Sequence, residues 1–240
     1  MSPSPGVLIR VAEPLRFLLP GRYRAAGERR LGFDPDATVG HLVQAAGVPL
    51  TEAGALRLDD VPATRATRPD AGSTVEVDPV ERPRPVPAGG FLLDVGLGAL
   101  ARRLRLLGMD AAWSADADDP GLVARAREED RVLLTQDRGL LKRRALTAGA
   151  LVRGSRPADQ LADVLDRFAP ALAPLTRCTA CNGVLERVPK AAVADLLPEG
   201  TRRTYAEFSR CEACGQVYWA GAHARRIQQL VAAAMHPDTV

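Results

Sequence analysis

The sequence predicts an α/β protein built on a parallel sheet, with a four-cysteine module after it and a small α+β domain before it. Three observations carry that prediction. From residue 91 to residue 135, short apolar runs alternate with amphipathic stretches, the strand-helix-strand order of a parallel sheet. Two of those runs, Phe91-Leu92-Leu93 and Val132-Leu133-Leu134-Thr135, finish at or just before an aspartate, Asp94 and Asp137. All four cysteines fall into two CxxC pairs, Cys178/Cys181 and Cys211/Cys214.

From the amino terminus, residues 7–11 and the stretch around 16–19 read as strands, and residues 25–33 supply a return strand with Gly27 at a bend. Thr38 is placed to N-cap a helix. In it Val39, Leu42, Val43 and Ala46 recur at i, i+3, i+4 and i+7 until Gly47 and Pro49 stop the pattern. His41 beside them is a surface or structural histidine. Residues 56–58 and 73–77 then alternate as short strands. The prolines of residues 79–90 remove backbone donors and hold that segment extended, so it reads as a semi-rigid linker. The expected organisation is a small domain over 1–78, a linker over 79–90, an α/β domain over 91–172 and a cysteine module with a closing helix over 173–240.

In the α/β domain Leu97, Leu100, Ala101, Leu104 and Leu107 form one helical face, with Gly108 as its C-cap. Arg102, Arg103 and Arg105 fall away from that face. They are either a solvated surface or, for Arg102 above all, a phosphate-binding edge. Residues 111–114 form a further strand leading into Asp116-Ala117-Asp118-Asp119, and residues 121–129 a helix with Leu122, Val123 and Ala126 inward.

Side chains at the carboxyl ends of parallel strands face the crevice where such sheets bind ligands, so Asp94 and Asp137 can converge there. Converging carboxylates suit a hard cation, Mg²⁺ or Mn²⁺, which lowers the pKa of a bound water and neutralises a leaving oxygen. Asp119 is the third carboxylate, with Asp118, Glu128 and Glu129 as alternates. Arg138 either steadies a phosphate or pairs with an aspartate. That chemistry is a metal-dependent phosphodiesterase, and the competing role for Asp94 and Asp137 is N-capping of the helices that follow them.

Four thiolates from two knuckles complete a closed tetrahedral Zn²⁺ site, which has no open position for substrate and is therefore structural. The spacer, residues 182–210, is long enough for a small helix at 190–197 after Pro189. Tyr218 and Trp219 either stack unpaired bases, with Arg225 and Arg226 on phosphates, or pack the zinc core. His223 contacts substrate or hydrogen-bonds around the zinc. Ile227, Leu230, Val231 and Ala234 recur at the spacing of an amphipathic closing helix.

The chain has 240 residues, 46% hydrophobic and 25% charged, which is ordinary soluble material. Its formal net charge is +3, and Lys142 and Lys190 are its only lysines; the arginine bias suits bidentate phosphate contacts and is also what a GC-rich genome produces. Residues 1–6 lack a basic stretch followed by an apolar core, and no apolar run approaches the roughly 20 residues that span a bilayer. A cytoplasmic protein with no membrane partner is expected, and paired thiols in a reducing compartment read as metal ligands. No heptad or isolated apolar patch predicts an oligomeric state.

Residues 15–77, through Thr38-Val39-Gly40-His41-Leu42, Ala46-Gly47-Val48-Pro49 and Gly72 to Val77, resemble the ubiquitin-like β-grasp domain found upstream of Mut7-C nuclease domains. Sulfur carriers of that fold use a free C-terminal Gly-Gly. Here Gly89-Gly90 continues into the chain and reads as linker. Phe91-Leu92-Leu93-Asp94, Leu97-Gly98, Leu100-Ala101-Arg102, Leu107-Gly108 with Asp110, Asp119 with Leu122, and Leu133 to Arg138 resemble the Mut7-C RNase domain, a PIN-like nuclease. Ala99, Arg103 and Gln136 depart from its usual pattern. Arg177-Cys178, Cys181-Asn182-Gly183, Phe208, Cys211, Cys214-Gly215 and Val217 to His223 resemble the zinc ribbon that ends such proteins.

The resemblance implies a ribonuclease acting on single-stranded or tRNA-like RNA through Asp94, Asp119 and Asp137. It also leaves room for a protein partner at the β-grasp domain. The alternative is a non-catalytic RNA-binding or adaptor protein that uses the zinc ribbon and the β-grasp domain.

Overall fold

The protein is described by a computed structural model over residues 6–219 and at residue 232. These residues fall into two compact units, one running up to Arg82 and including Thr135–Leu151, the other comprising Pro83–Leu134 and the residues from Val152 on.

The first unit contains β1 (Gly6–Val11), β2 (Glu28–Gly32), α1 (Val39–Ala46), β3 (Ala53–Leu58), β4 (Val61–Ala63) and β5 (Thr74–Pro79), with the strands in the order β2-β1-β5-β3-β4. The first and last of them, β1 and β5, lie parallel at the centre, and the other pairings are antiparallel. This is the expected β-grasp sheet. Alternation buries Val7, Ile9 and Val11 with Val75 and Val77 on one face, where α1 adds Val39, Leu42, Val43 and Ala46. Thr38 caps that helix, its hydroxyl accepting the His41 N–H at 3.3 Å, and Gly47 ends it at a φ of 127°.

Two local features differ from the sequence reading. Residues 16–19 are not a strand, because Glu13–Leu18 forms a 3-10 helix. Pro14 occupies its first turn, where no donor is needed, and the i, i+3 pair Leu15 and Leu18 faces inward. The unanticipated strand β4 exists because Asp59 and Asp60 both take positive φ, 50° and 67°, and close a two-residue hairpin from Leu58 to Val61.

The second unit begins with the proline-rich segment, whose Arg84 N–H donates to Arg167 O at 2.8 Å. Gly89 and Gly90 are packed and do more than link. A Cβ on Gly89 would fall 2.0 Å from Glu129 O, and Gly90 adopts a φ of 75° with Asp110 O 2.5 Å from where its Cβ would be. There follow β6 (Phe91–Leu93), α2 (Gly98–Leu106), β7 (Ala111–Trp113), α3 (Asp119–Glu128) and β8 (Val132–Thr135). Strand β6 runs between β7 and β8, parallel to both, with Leu93 opposite Trp113 and Leu134. The second unit continues at α5 (Pro157–Phe168), while the intervening α4 (Arg138–Leu141) and β9 (Gly149–Leu151) belong to the first unit. The predicted face of α2, Leu97, Leu100, Ala101, Leu104 and Leu107, is fully buried, and Gly108 follows at a φ of 86°.

Beyond α5 lie β10 (Leu185–Val188), α6 (Glu199–Thr204), β11 (Phe208–Cys211) and β12 (Val217–Trp219), the strands forming an antiparallel sheet in that order. The helix expected at residues 190–197 is instead two 3-10 turns, Lys190–Ala192 and Ala194–Leu196, with α6 after them. They lay Val193 and Leu197 on Phe208 and Val217, which among the described residues form a small buried core with Val188 and Tyr205 packed against it. Among the described residues no helix is long and apolar enough to cross a membrane.

Candidate active site and metal centre

Asp94 follows β6 directly, and its own N–H donates to Leu134 O of β8 at 3.0 Å. The carboxylate sits at the carboxyl edge of the two adjacent strands. Its Oδ1 accepts the Val95 N–H at 2.6 Å, capping a 3-10 turn, Val95–Leu97. Trp113 holds that turn in place: the indole Nε1 donates to Val95 O at 3.0 Å, and the ring packs on Gly98, where a Cβ would lie 2.7 Å from it.

Asp137 lies two residues beyond β8. Its N–H donates to the Oγ1 of buried Thr135 at 2.9 Å, and its Oδ1 accepts from Gly139 N at 2.6 Å as the N-cap of α4. Thr135 therefore aims Asp137, a role that sequence reading missed although Thr135-Gln136-Asp137 carries the spacing of a hydroxyl turn.

The tandem Asp118-Asp119 divides its work. Asp118 caps α3 through Gly121 N at 3.0 Å, and Asp119 is the first residue of the helix, half-buried. Each of these carboxylates stands at a helix start, where the backbone dipole favours negative charge.

Two of the alternates are placed elsewhere. Helix α3 rises about 1.5 Å per residue, so Glu128 and Glu129 stand more than about 13 Å along the axis from Asp119. Glu129 is ion-paired with Arg125 at 2.6 Å and with Arg131. Arg131, just ahead of β8, also donates to Phe91 O and to Asp110 Oδ1 at 2.6 Å, so this ionic cluster marks the amino edge of the sheet. Among the described residues no three carboxylates bring their oxygens within 4.8 Å of one another; the four cysteines alone meet that condition.

Cys178, Cys181, Cys211 and Cys214 bring all their sulfurs within 4.8 Å of one another, a group that could hold a metal ion. Two knuckles make this possible. Gly183 O accepts from Cys178 N and Gln216 O from Cys211 N, with Asn182 and Gly215 in the left-handed region at φ of 72° and 75°. Burial opposes charge on Cys178, but hydrogen bonds from the Tyr218 hydroxyl at 3.1 Å and from the N–H groups of Cys181 and Ala180 outweigh it and lower the thiol to about 6. Burial and the neighbouring sulfurs push Cys181 up to about 12. Sulfurs packed this closely resist a second negative charge until a cation joins them, so the donor set fits a soft dication.

Sequence reading did not anticipate how this cluster is tied to the sheet. Arg105 does not fall away to solvent: it is 3% exposed, and its guanidinium donates to Ala111 O at 2.8 Å, Thr179 O at 3.2 Å and Ala180 O at 2.8 Å. Asp110 adds a second tie, accepting from Arg131 and from Asn182 Nδ2 at 2.8 Å, with Arg177 at 3.2 Å. A buried arginine on a helix is readable from sequence only once its acceptors are known.

Of the residues read as substrate contacts, Arg102 is exposed on α2 and Trp219 is 36% exposed. Tyr218 turns inward, its hydroxyl also 3.2 Å from Thr179 Oγ1, which places it with the cysteine core. Among the described residues Arg138 pairs with no aspartate: it donates to Phe17 O and Leu18 O, each at 3.3 Å, and lies over the Phe17 ring. His223, Arg225, Arg226 and the expected closing helix fall outside the described residues.

A family model described as Mut7-C RNAse domain matches residues 89–231, more than half of the chain. The chain belongs to the Mut7-C RNAse domain family. A second model, described as Mut7-C ubiquitin, matches residues 4–84, in agreement with the β-grasp sheet. No curated protein and no solved structure matches the chain. The Mut7-C match takes in the strand-end aspartates and the four cysteines alike, so both belong to one family unit in the sequence.

Proposed function

We propose that this protein is a ribonuclease that hydrolyses RNA phosphodiester bonds at a carboxylate-bound Mg²⁺ or Mn²⁺ site. The observation that carries the reading is the delivery of Asp94 and Asp137 from the carboxyl ends of adjacent parallel strands, inside a chain of an RNase-domain family. Asp119 supplies the third carboxylate. Asp94, Asp119 and Asp137 would hold the cation, which supplies an acidified water and charge neutralisation at the leaving oxygen. Oxygen donors fit a hard ion, and Mg²⁺ keeps several waters of its own, so closure of three carboxylates to 4.8 Å is not required.

The chain's own part is positioning. Trp113 and Thr135 fix the turns that bear Asp94 and Asp137, and the caps at Val95 N and Gly139 N hold one oxygen of each carboxylate. We assign Zn²⁺ to the four cysteines in a structural role, since a closed thiolate set leaves no position for substrate. Free thiols in a metal-binding group suit a reducing compartment, and the proposed site of action is the cytoplasm.

The N-cap bonds of Asp94 and Asp137 favour one rival, a non-catalytic RNA-binding protein in which these aspartates only start helices. Cleavage of labelled single-stranded RNA and folded tRNA with Mn²⁺ or Mg²⁺ against EDTA separates the two. Wild type, Asp94→Asn and Asp137→Asn are compared at matched zinc content. Metal-dependent cutting lost in both variants is expected; binding without cutting by zinc-loaded wild type would move the assignment to the rival.

A further inference from the structure

The first unit carries a group of cations that the proposed chemistry does not use. The carbonyls of three successive residues, Phe17, Leu18 and Leu19, anchor two arginines: Arg138 on the first two and Arg24 on the third at 2.9 Å. Beside them the Tyr23 ring is flanked by Arg22 at 4.7 Å and Arg29 at 5.5 Å, and Arg29 is itself held by Ala45 O and Ala46 O. Lys142 follows four residues after Arg138, at the end of α4.

The partners of the four arginines are backbone carbonyls and aromatic rings, and among the described residues neither they nor Lys142 is ion-paired. Burial, with the charges of Arg138 and Arg29, lowers the Lys142 ammonium, and burial with Arg24 lowers Arg138. They feel one another as like charges. Fixing five cations in a common field costs free energy that no ion pair among the described residues returns, so an external polyanion is the missing partner.

We propose that Arg22, Arg24, Arg29, Arg138 and Lys142, set around Tyr23, form a surface on the ubiquitin-like unit that binds the phosphodiester backbone of RNA. The choice of RNA over another polyanion rests on the nuclease reading, and Arg138 directly follows Asp137, so the surface ends at the segment that presents a metal-binding carboxylate. Guanidinium groups pinned by carbonyls bind phosphates with little loss of side-chain freedom, and the Arg-Tyr-Arg group offers flat faces to unpaired bases. The β-grasp domain is thus a substrate-binding part of the nuclease.

The test is binding of a fluorescein-labelled single-stranded RNA 20-mer to the full-length protein without added divalent metal, followed by anisotropy across a salt series. Arg22→Gln/Lys142→Gln removes two cations that, among the described residues, hold no backbone carbonyl; Arg22 touches only the neighbouring Tyr23. Each lost phosphate contact should lower the salt slope by about 0.7, so the pair should lower it by about 1.4 and weaken affinity about 25-fold at 0.1 M salt. Arg68→Glu makes the same change in net charge on the loop after β4, at the opposite sheet edge from β2, and should stay within about twofold. Thermal melts confirm that each variant is folded; Arg22→Gln and Lys142→Gln singly serve if the pair is not.

Equal affinity of wild type and the pair, or an equal loss in Arg68→Glu, overturns the proposal. Wild-type binding to phosphatidylserine/phosphatidylcholine vesicles but not to RNA overturns it in favour of a membrane surface. The predicted loss of RNA binding in a protein that never cuts with Mn²⁺ supports the surface and sinks the nuclease reading alone.

Discussion

Replacing Arg105 by methionine should cost the second unit about 3 kcal/mol and loosen the zinc proposed for its four cysteines. The side chain is buried and makes three charge-assisted hydrogen bonds, to Ala111 O in the sheet and to Thr179 O and Ala180 O in the first cysteine knuckle. The bond to Ala111 O is fully buried, and a charged bond of that kind is worth about 1.5–3 kcal/mol. The two knuckle carbonyls are partly open to water, so losing their donor should cost about 0.5–1 kcal/mol each.

Methionine refills the aliphatic part of the space, which keeps the cavity contribution small. In a unit of this size each kcal/mol moves Tm by about 2–4 °C, so a drop of roughly 6–12 °C is expected. Four thiolates on a dication leave a net charge of −2, which Arg105 partly offsets; its loss should therefore also speed zinc release to a chromogenic chelator. Arg102→Met, exposed on the same helix, should change stability by less than about 0.5 kcal/mol. If Arg105→Met melts within 2 °C of Arg102→Met and releases zinc at the wild-type rate, the arginine is not the strut described above.

Asp94→Asn and Asp137→Asn should melt within about 0.5 kcal/mol of wild type, because asparagine caps a helix as well as aspartate does; a large loss of stability would show that the charge itself is structural. Asp110 should make the protein acid-sensitive. Burial raises its pKa, but hydrogen bonds from Arg131 and Asn182 outweigh that and hold it below the ordinary 3.8. A carboxylate lowered in the folded state contributes stability that is complete above its unfolded value and lost as pH falls through its folded one, so denaturation midpoints should drop below about pH 4, and less steeply in Asp110→Asn. Gly90→Ala should cost more than about 2 kcal/mol by urea titration, since φ is 75° and the new methyl would meet a backbone oxygen; a near-neutral result would mean the segment enters the sheet differently.

Periodicity located most elements because each is decided by its neighbours in sequence. Thr38 capped α1 where the apolar repeat began, and the buried face of α2 appeared with its glycine stop. The places where the reading slipped share one cause: a local pattern compatible with two structures. Residues 13–19 hold enough apolar side chains for a strand, and only the docking of Leu15 and Leu18 into the β-grasp core selects 3-10 turns. Asp59-Asp60 carries no glycine or asparagine to signal a tight turn, and its positive φ values nonetheless make a hairpin of it.

By itself the sequence determined the family, the β-grasp and parallel-sheet order, the pairing of cysteines into two knuckles and the aspartates at strand ends. These are periodic or closely spaced signals, set by helix and strand geometry and by the reach of a four-residue loop. Tertiary structure alone decided the work of Arg105, Asp110 and Tyr218 around the cysteines, the division between Asp118 and Asp119, the packing of Gly89-Gly90, and the gathering of Arg22, Arg24, Arg29, Arg138 and Lys142. Each of those depends on which carbonyl, sulfur or charge the fold brings alongside from a distant part of the chain, and no local pattern encodes that.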